Sequence, residues 1–226
     1  MMMAKGKLIV IEGTDGSGKA TQSALLTKRL QQEGYAVKEL TFPCYGQPSC
    51  ALVEMYLKGE FGQKPDDVNC YAASTFYAVD RYASYKKEWG KFYQEGGILV
   101  ANRYVTSNLV HQMTKLPYEE WDAFSAWLHD LEYKKFGIPS PDVVVYLEMP
   151  TLVSQTLMTG RYQGDESKKD IHEKDVDYLQ RCTRAATYAC GNEGWKTVHC
   201  ADDQTQQPLP IDTIGERVYD LVKEYL

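Results

Sequence analysis

An apolar strand that runs directly into a glycine-rich turn constrains the fold of this 226-residue chain more than any other feature. The run LIVIE (8–12) has the composition of a buried strand, and GTDGSGK (13–19) follows it without a gap. The segment KATQSALLTKRLQQEG (19–34) then has helical periodicity and ends at Gly34, a residue typical of helix ends. Strand, glycine-rich turn and helix in this order predict a βαβ unit with a phosphate-binding turn.

The turn has the residue types that phosphate binding requires. Glycines let successive backbone N–H groups point into one concavity, and the N-terminus of the following helix adds partial positive charge. Lys19 is placed to reach the outer phosphates of a nucleoside triphosphate. Such loops usually continue with Ser or Thr, whose hydroxyl binds Mg²⁺, but this chain has Ala20, so the manner of metal binding stays open. The predicted loop comprises Gly13, Thr14, Asp15, Gly16, Ser17, Gly18, Lys19, Ala20 and Thr21.

Four more short apolar runs contain the Val and Ile that are typical of buried parallel strands. They lie at 36–42, 98–101, 143–149 and 195–200. Segments with helical periodicity separate the runs, at about 18–33, 49–58, 70–94, 105–135, 151–160, 172–190 and 211–226. Strands that alternate with helices predict a layered α/β protein. We expect one domain over residues 1–226 with a three-layer P-loop NTPase fold, in which helices flank a central, mostly parallel five-stranded sheet.

A polar segment, RYQGDESKKD (161–170), interrupts two predicted helices. Its composition is compatible with a plain solvated loop and equally with a short lid that closes over a ligand. The sequence alone leaves both interpretations open.

Composition restricts the class of partner. The net charge of −6 disfavours a broad nucleic-acid-binding surface, and no apolar run reaches the length of about 18 residues that a membrane span needs. The six cysteines include no C-x-x-C pair, which indicates reduced thiols in a cytoplasmic protein. We therefore expect a cytoplasmic protein that binds small molecules and neither nucleic acid nor membrane.

Four motifs occur in one order along the chain: GTDGSGKATQ (13–22), TFP (41–43), YAVDRY (77–82) and NRYVTSNLVHQ (102–112). Together they resemble the thymidylate kinase family of P-loop nucleoside monophosphate kinases. The resemblance covers most of the chain, from about residue 8 to the last predicted strand. It implies transfer of the γ-phosphate of ATP to dTMP to give dTDP for dTTP biosynthesis, with Mg²⁺ as the metal and a homodimer as the assembly.

The resemblance also implies which residues contact the acceptor nucleoside. Phe42 and Tyr77 would enclose the base, and Asp15 would accept a hydrogen bond from the 3′-hydroxyl of the deoxyribose. Ser107 and Gln112 match positions that hydrogen-bond the pyrimidine edge, where a wrong base would leave buried groups unpaired. Without the resemblance, each of these side chains could equally serve packing, turn formation or a helix start.

Arginines at two of the motifs are expected to hold the acceptor. Tyr77 and Arg81 are four residues apart and share a helix face, and the resemblance makes Arg81 a ligand of the base or the monophosphate. It assigns the acceptor phosphate to Arg103, whose planar fork suits phosphate oxygens. Since Gly16 follows the loop aspartate, the resemblance places the catalytic cation in the lid, at Arg161. The expected catalytic residues are therefore Asp15, Lys19, Arg103 and Arg161.

The chain departs from the family pattern at positions that the resemblance places near the metal and near a phosphate. Asn102 stands where the family usually has Asp, and Cys44 and Tyr45 occupy the place of an expected Arg. With Ala20, these departures leave two alternatives open: a kinase for another acceptor, such as dUMP or a nucleoside, and a nucleotide-binding homologue with weak or no transferase activity. His111 is interpreted as a packing or surface residue.

Overall fold

A parallel sheet forms the centre of the computed structural model, which describes residues 5–161, 165, 170–202 and 204–226. Within these residues the sheet has five strands in the order β2-β3-β1-β4-β5, and every neighbouring pair is parallel. The strands are β1 (Lys7–Glu12), β2 (Val37–Thr41), β3 (Ile98–Asn102), β4 (Val143–Glu148) and β5 (Lys196–His199). The predicted α/β class and five-stranded sheet are confirmed, and each strand lies within two residues of its predicted bounds.

Alternating side chains along the strands build a core on each side of the sheet. Leu8 and Val10 of β1 point into one core, and Ile9 and Ile11 point into the other, as the two-residue period of a strand requires. Both cores are buried, so the central strands are apolar throughout. The sheet is therefore the middle layer of three, with helices on both faces.

Helices connect the strands. They are α1 (Lys19–Gln32), α2 (Ala51–Leu57), α3 (Cys70–Ser84), α4 (Gly90–Gln94), α5 (Thr106–His111), α6 (Trp121–His129), α7 (Thr151–Arg161), α8 (Val176–Asn192) and α9 (Ile211–Val222). Wider π-helical turns at Tyr85–Trp89 and Asp130–Lys135 continue α3 and α6. Gly34 adopts a left-handed φ of 91° just after α1, in agreement with the predicted helix stop.

Two predicted helical segments differ from the structure. The segment 105–135 is not one helix: α5 ends at His111 and α6 begins at Trp121, because Pro117 cannot continue a helix and disfavours helical geometry at the residue before it. The segment predicted from 172 begins only at Val176, because the Asp175 side chain caps the helix by accepting a hydrogen bond from the Tyr178 N–H at 2.9 Å.

The predicted lid, 161–170, lies largely outside the described residues, which include only the backbone of Arg161 and residues 165 and 170. The single-domain assignment and the lid remain predictions. Among the helices that the structure describes, none combines the length and the hydrophobicity that crossing a bilayer requires.

We predict that the core between α1 and the sheet contributes strongly to stability. Leu30 is fully buried there, so Leu30→Ala should lower the free energy of unfolding by about 2–5 kcal/mol. Leu25→Ala makes the same chemical change at an exposed position of the same helix and should have a much smaller effect. Urea denaturation at one fixed protein concentration measures both. Equal losses in the two variants would contradict the described packing of α1.

Candidate active site

A cavity of about 1080 Å³ opens at the carboxyl ends of β1, β2 and β3. Ligands of open α/β sheets bind in such a crevice, where neighbouring strands connect in opposite directions. The structure brings together there most of the residues that the sequence singled out. Its lining includes Asp15, Gly16, Gly18, Lys19, Ala20, Thr21, Phe42, Tyr77, Arg81, Arg103, Ser107 and Gln112.

The loop after β1 has the backbone geometry of a phosphate cradle. Gly18 caps α1 in a left-handed conformation with a φ of 91°. At Gly16 a Cβ atom would lie 2.3 Å from the carbonyl oxygen of Ser154, so only glycine permits this approach of the loop to α7. The ammonium of Lys19 is buried over the loop and donates a hydrogen bond to the Thr14 carbonyl at 2.7 Å.

Glu12, at the end of β1, lies behind the residues that line the cavity, and the sequence analysis missed it. It is fully buried and accepts hydrogen bonds from the Gly13 N–H (3.0 Å) and from the hydroxyls of Thr106 (2.8 Å) and Ser107 (2.7 Å). The carboxylate thereby ties the loop to the start of α5. A carboxylate that ends an otherwise apolar strand is the signal that could have revealed it. Ser107 therefore has an internal partner in addition to its predicted contact with a base.

Arg103 occupies a strained position directly after β3. Its φ of 67° is uncommon for a residue with a side chain, and such backbone strain clusters at functional sites. Nη2 forms an ion pair with Asp15 Oδ1, and Nη1 lies 3.0 Å from His111 Nε2 and 3.8 Å from Glu12 Oε1. The guanidinium thus enters the cavity with partners at both ends of its fork.

Two cations converge on the Asp15 carboxylate. Lys19 Nζ lies 3.9 Å from the same oxygen that Arg103 contacts. Burial by itself raises the pKa of Asp15, but Arg103 and then Lys19 more than offset this effect and hold the pKa well below its usual range. Asp15 is therefore ionised, and it balances positive charge where the side chains of Lys19 and Arg103 meet.

Aromatic side chains form the walls of the cavity. Phe42 precedes a cis peptide bond to Pro43, and its ring packs against that of Tyr104 with centroids 5.9 Å apart. Tyr77 reaches the cavity from α3, and burial raises the pKa of its hydroxyl well above 10, so the hydroxyl remains a hydrogen-bond donor. Flat rings at the ends of β2 and in α3 are able to stack on a planar base.

Arg81 lines the cavity, but its guanidinium already has an anionic partner that sequence reasoning missed. Nε and Nη2 donate to the two carboxylate oxygens of Glu132 at 2.7 and 2.6 Å, and Nη1 donates to the Tyr104 carbonyl at 3.3 Å. Both side chains of the pair are buried. The predicted ligand role of Arg81 stays a prediction, and only the remaining N–H groups are able to serve it. Arg81 and Glu132 are 51 positions apart in the sequence, so no local pattern could reveal the pair.

Gln112 carries a buried amide group in the wall of the cavity. Neither its oxygen nor its nitrogen makes a hydrogen bond of normal geometry to any residue that the structure describes. The Tyr56 hydroxyl is a polar neighbour of this amide, and a bound ligand would supply the well-formed hydrogen bonds that a buried amide needs. This arrangement agrees with the predicted contact to a pyrimidine edge.

The segment after the predicted lid also borders the cavity, through Asp170, His172, Glu173 and Lys174. The Asp170 carboxylate accepts hydrogen bonds from the N–H groups of His172 (2.8 Å) and Glu173 (2.9 Å), while burial raises its pKa to about 7. The sequence analysis did not single out these residues. The side chain of Arg161 and all of Lys168 and Lys169 lie outside the described residues.

Metal ligands are sparse in the described part of the site, which contains no group of three or more His, Cys, Asp or Glu side chains placed to hold an ion. Ala20 and Asn102 both line the cavity; the side chain of Ala20 has no oxygen, whereas that of Asn102 carries an amide oxygen. These residues fit an ion held mainly by phosphate oxygens and water, as Mg²⁺ often is.

Comparisons with known proteins agree with this geometry. A family model described as "Thymidylate kinase" matches residues 11–207. The thymidylate kinase of Mycobacterium tuberculosis (strain ATCC 25618 / H37Rv) is 32% identical over 190 residues, which cover 83% of this chain and 87% of that protein. The Danio rerio thymidylate kinase is 23% identical over 228 residues, 99% of this chain and 96% of the relative. A solved thymidylate kinase from Candida albicans has a similar fold, with a TM-score of 0.69 at 16% identity over 98% of this chain and 92% of the other.

We predict that the buried Arg81–Glu132 pair is strongly coupled. Glu132→Met should lower the free energy of unfolding by about 3–5 kcal/mol, because it leaves a buried guanidinium without its counter-charge. The double variant Arg81→Met/Glu132→Met should recover much of that loss. Glu95→Met is the control, since its ion pair with Lys91 is exposed, and it should change stability little. Chemical denaturation of the parent, the control, the double variant and both single variants, Glu132→Met and Arg81→Met, gives the coupling. A double variant less stable than Glu132→Met would show that the pair is not the source of the loss.

Proposed function

This chain belongs to the thymidylate kinase family, and on that basis we propose that it transfers the γ-phosphate of ATP to dTMP, giving ADP and dTDP. The observation that carries the proposal is the meeting of Lys19 and Arg103 at one oxygen of Asp15. A terminal phosphate held by Lys19 and an acceptor phosphate held by Arg103 would then be neighbours. An oxygen of the acceptor phosphate attacks the γ-phosphorus, and the bond to the β–γ bridging oxygen breaks.

The donor triphosphate would occupy the loop between β1 and α1. Amide groups of the loop and the N-terminus of α1 offer hydrogen bonds and partial positive charge to the phosphates, and the ammonium of Lys19 lies over them. Phosphoryl transfer needs mainly alignment of the reactants and stabilisation of charge, so no covalent enzyme intermediate is required. We assign the additional cation of the transition state to Arg161, as predicted from the sequence.

The acceptor would lie between the aromatic walls. Phe42 and Tyr77 would pack against the two faces of the base, and the amide of Gln112 would bind its edge. Both cations contact Oδ1 of Asp15, so Oδ2 is the atom that we propose accepts the hydrogen bond of the 3′-hydroxyl. Arg81 and Ser107 would also contact the acceptor. Arg81 would use the N–H groups that do not donate to Glu132 or Tyr104, and Ser107 would accept a hydrogen bond at its hydroxyl oxygen.

Mg²⁺ is expected to bind together with ATP. It would be held chiefly by phosphate oxygens and water, with the amide oxygen of Asn102 as the nearby protein ligand, because Ala20 lacks a hydroxyl. When bound, the ion would neutralise charge on the β- and γ-phosphates. Loss of turnover after chelation, with recovery on addition of Mg²⁺, tests this assignment.

We also propose a homodimer formed through the outer face of α3. Large apolar side chains are exposed along this helix, at Tyr71 (39%), Val79 (42%) and Tyr82 (38%). Tyr71 contacts Trp127, and Tyr82 contacts Phe136, so the exposed surface continues onto the neighbouring α6 region. Exposed apolar side chains that share one helix face favour an interaction site, and a second copy of the chain would offer the matching surface.

Sedimentation velocity tests the dimer. The protein should sediment as a dimer, and Val79→Lys should shift it to monomer, because a buried unpaired ammonium opposes association. Val176→Lys is the control: Val176 is similarly exposed (45%) but lies on α8, and this variant should remain dimeric. A monomeric parent protein at high micromolar concentration would reject the proposal. The expected cytoplasmic location stays a prediction, which cell fractionation would test.

An acceptor panel tests the proposed reaction. Release of ADP from ATP–Mg²⁺ is measured with dTMP, dUMP, other nucleoside monophosphates and thymidine as acceptors. Turnover should be much faster with dTMP than with purine nucleoside monophosphates, because the Gln112 amide and the aromatic walls would bind a pyrimidine, and faster than with thymidine, because Arg103 would hold the acceptor phosphate. Since dUMP differs from dTMP only by the 5-methyl group, the ratio of the two rates measures how far the pocket recognises that methyl group. Preference for another acceptor would assign a different kinase. Tight ATP binding without turnover on any acceptor would identify a nucleotide-binding homologue that has lost the transferase activity.

Lys19→Ala provides the internal control of that panel. The variant should fold and should lower kcat with dTMP by about 10²–10³-fold, since it removes one preorganised charge at the transferred group. Lys28→Ala removes an exposed lysine of the same helix and should leave turnover unchanged. Near-full turnover of Lys19→Ala would contradict the role of the loop.

A further inference from the structure

His111 is a buried imidazole at the end of α5 that contacts Arg103 directly. Its Nε2 lies 3.0 Å from Nη1 of Arg103, and its Nδ1 lies 3.5 Å from Sγ of Cys182 on α8. The sequence suggested a packing or surface residue for this position. The structure instead places a titratable ring between the arginine of the site and a buried thiol.

The contact with Arg103 determines the protonation state of the ring. A guanidinium has only donors and stays protonated, so His111 Nε2 has to accept its hydrogen bond. The ring is therefore neutral and carries its proton on Nδ1, which faces the sulfur of Cys182, a weak acceptor. One polar contact on each side of the ring thus fixes a single tautomer.

The surroundings favour the neutral ring. Burial, followed by the positive charges of Arg103, Lys19 and Lys115, lowers the pKa of His111 to about 3. Asp15 is the group that acts in the opposite direction. A neutral His111 adds no positive charge to the cavity, so it is able to contact Arg103 without repelling it.

A second layer of contacts holds the ring in place. The hydroxyl of Tyr178 donates to the backbone carbonyl of His111 at 2.6 Å, and the ring stacks on that of His172 with centroids 5.8 Å apart and planes 11° from parallel. His172 Nε2 lies 2.8 Å from the hydroxyl of Tyr56, to which Lys115 donates at 2.9 Å. The acceptor nitrogen of His111 is therefore fixed relative to α5, α8 and α2.

We propose that His111 is a positioning residue, whose Nε2 fixes the orientation of the Arg103 guanidinium toward the phosphate of the acceptor nucleotide. Asp15 holds Nη2, and His111 holds Nη1, so the fork is anchored at both ends even though its backbone is strained. The inference rests on the proposed function, because it assumes that Arg103 binds the acceptor phosphate. Loss of His111 should therefore weaken recognition of the phosphate and spare recognition of the nucleoside.

Binding measurements separate these two effects. Calorimetry with dTMP and with thymidine compares the parent protein, His111→Phe, His111→Gln and the exposed-histidine control His199→Phe. His111→Phe keeps a ring but removes the acceptor, and it should weaken dTMP binding about tenfold or more while thymidine binding changes by less than about twofold. His111→Gln places an oxygen near the former Nε2 and should restore most of the affinity for dTMP.

Three results would overturn the proposal: unchanged dTMP affinity in His111→Phe, equal weakening of dTMP and thymidine, or no recovery in His111→Gln. Nitrogen-15 NMR of the four histidines in the ligand-free protein gives a test that does not depend on any substrate. His111 should be the neutral Nδ1–H tautomer at pH 7 and at pH 6, and an imidazolium or an Nε2–H tautomer would reject its role as acceptor. Failure of the parent protein to bind dTMP would contradict the proposed function, whereas the NMR result still decides the contact with Arg103.

Discussion

The parallel pairing of β1 with β3 is the constraint on which the site depends. Ile11 lies opposite Asn102, and the Arg103 N–H donates to the Ile11 carbonyl at 3.2 Å. The glycine-rich loop and the strained arginine therefore leave the sheet side by side. A slip of one residue in this register would turn the side chains of β1 to the opposite faces, so the two buried cores hold the register as firmly as the hydrogen bonds do.

Carboxylates lie beside the two cations of the cavity because they balance the positive charge of Lys19 and Arg103. Lys19 and Arg103 approach the same oxygen of Asp15 and would repel each other without it. Asp15, with Glu12 behind it, compensates for their charge. Under the proposed function, the phosphates would have to compete with Asp15 for the same cations. This competition would lower the affinity for phosphate. In return, Asp15 holds the two cations in place before the ligand binds.

Much of the fold followed from local patterns, but the network that orients the site did not. LIVIE and VVVYLEM mark their strands through composition, and the glycines mark the turn, so strands, loop and cavity position were predictable. The partners of Arg81 and Arg103, Glu132 and His111, were missed, because these contacts depend on how separate elements pack. The break at Pro117 was visible in the sequence and was wrongly absorbed into one long helix.

The departures from the family pattern make the contacts of Arg103 more important, because fewer arginines line the cavity. With Cys44 in the place of an expected arginine, the arginines that line the described part of the cavity are Arg81 and Arg103. Arg81 gives two of its three nitrogens to Glu132, and this bidentate pair is fully buried. Arg103 is consequently the guanidinium that we propose for the acceptor phosphate, and this role requires its geometry to be set by neighbours that are not themselves cations. Neutral His111 and anionic Asp15 satisfy that requirement, because each accepts a hydrogen bond from the fork without adding positive charge.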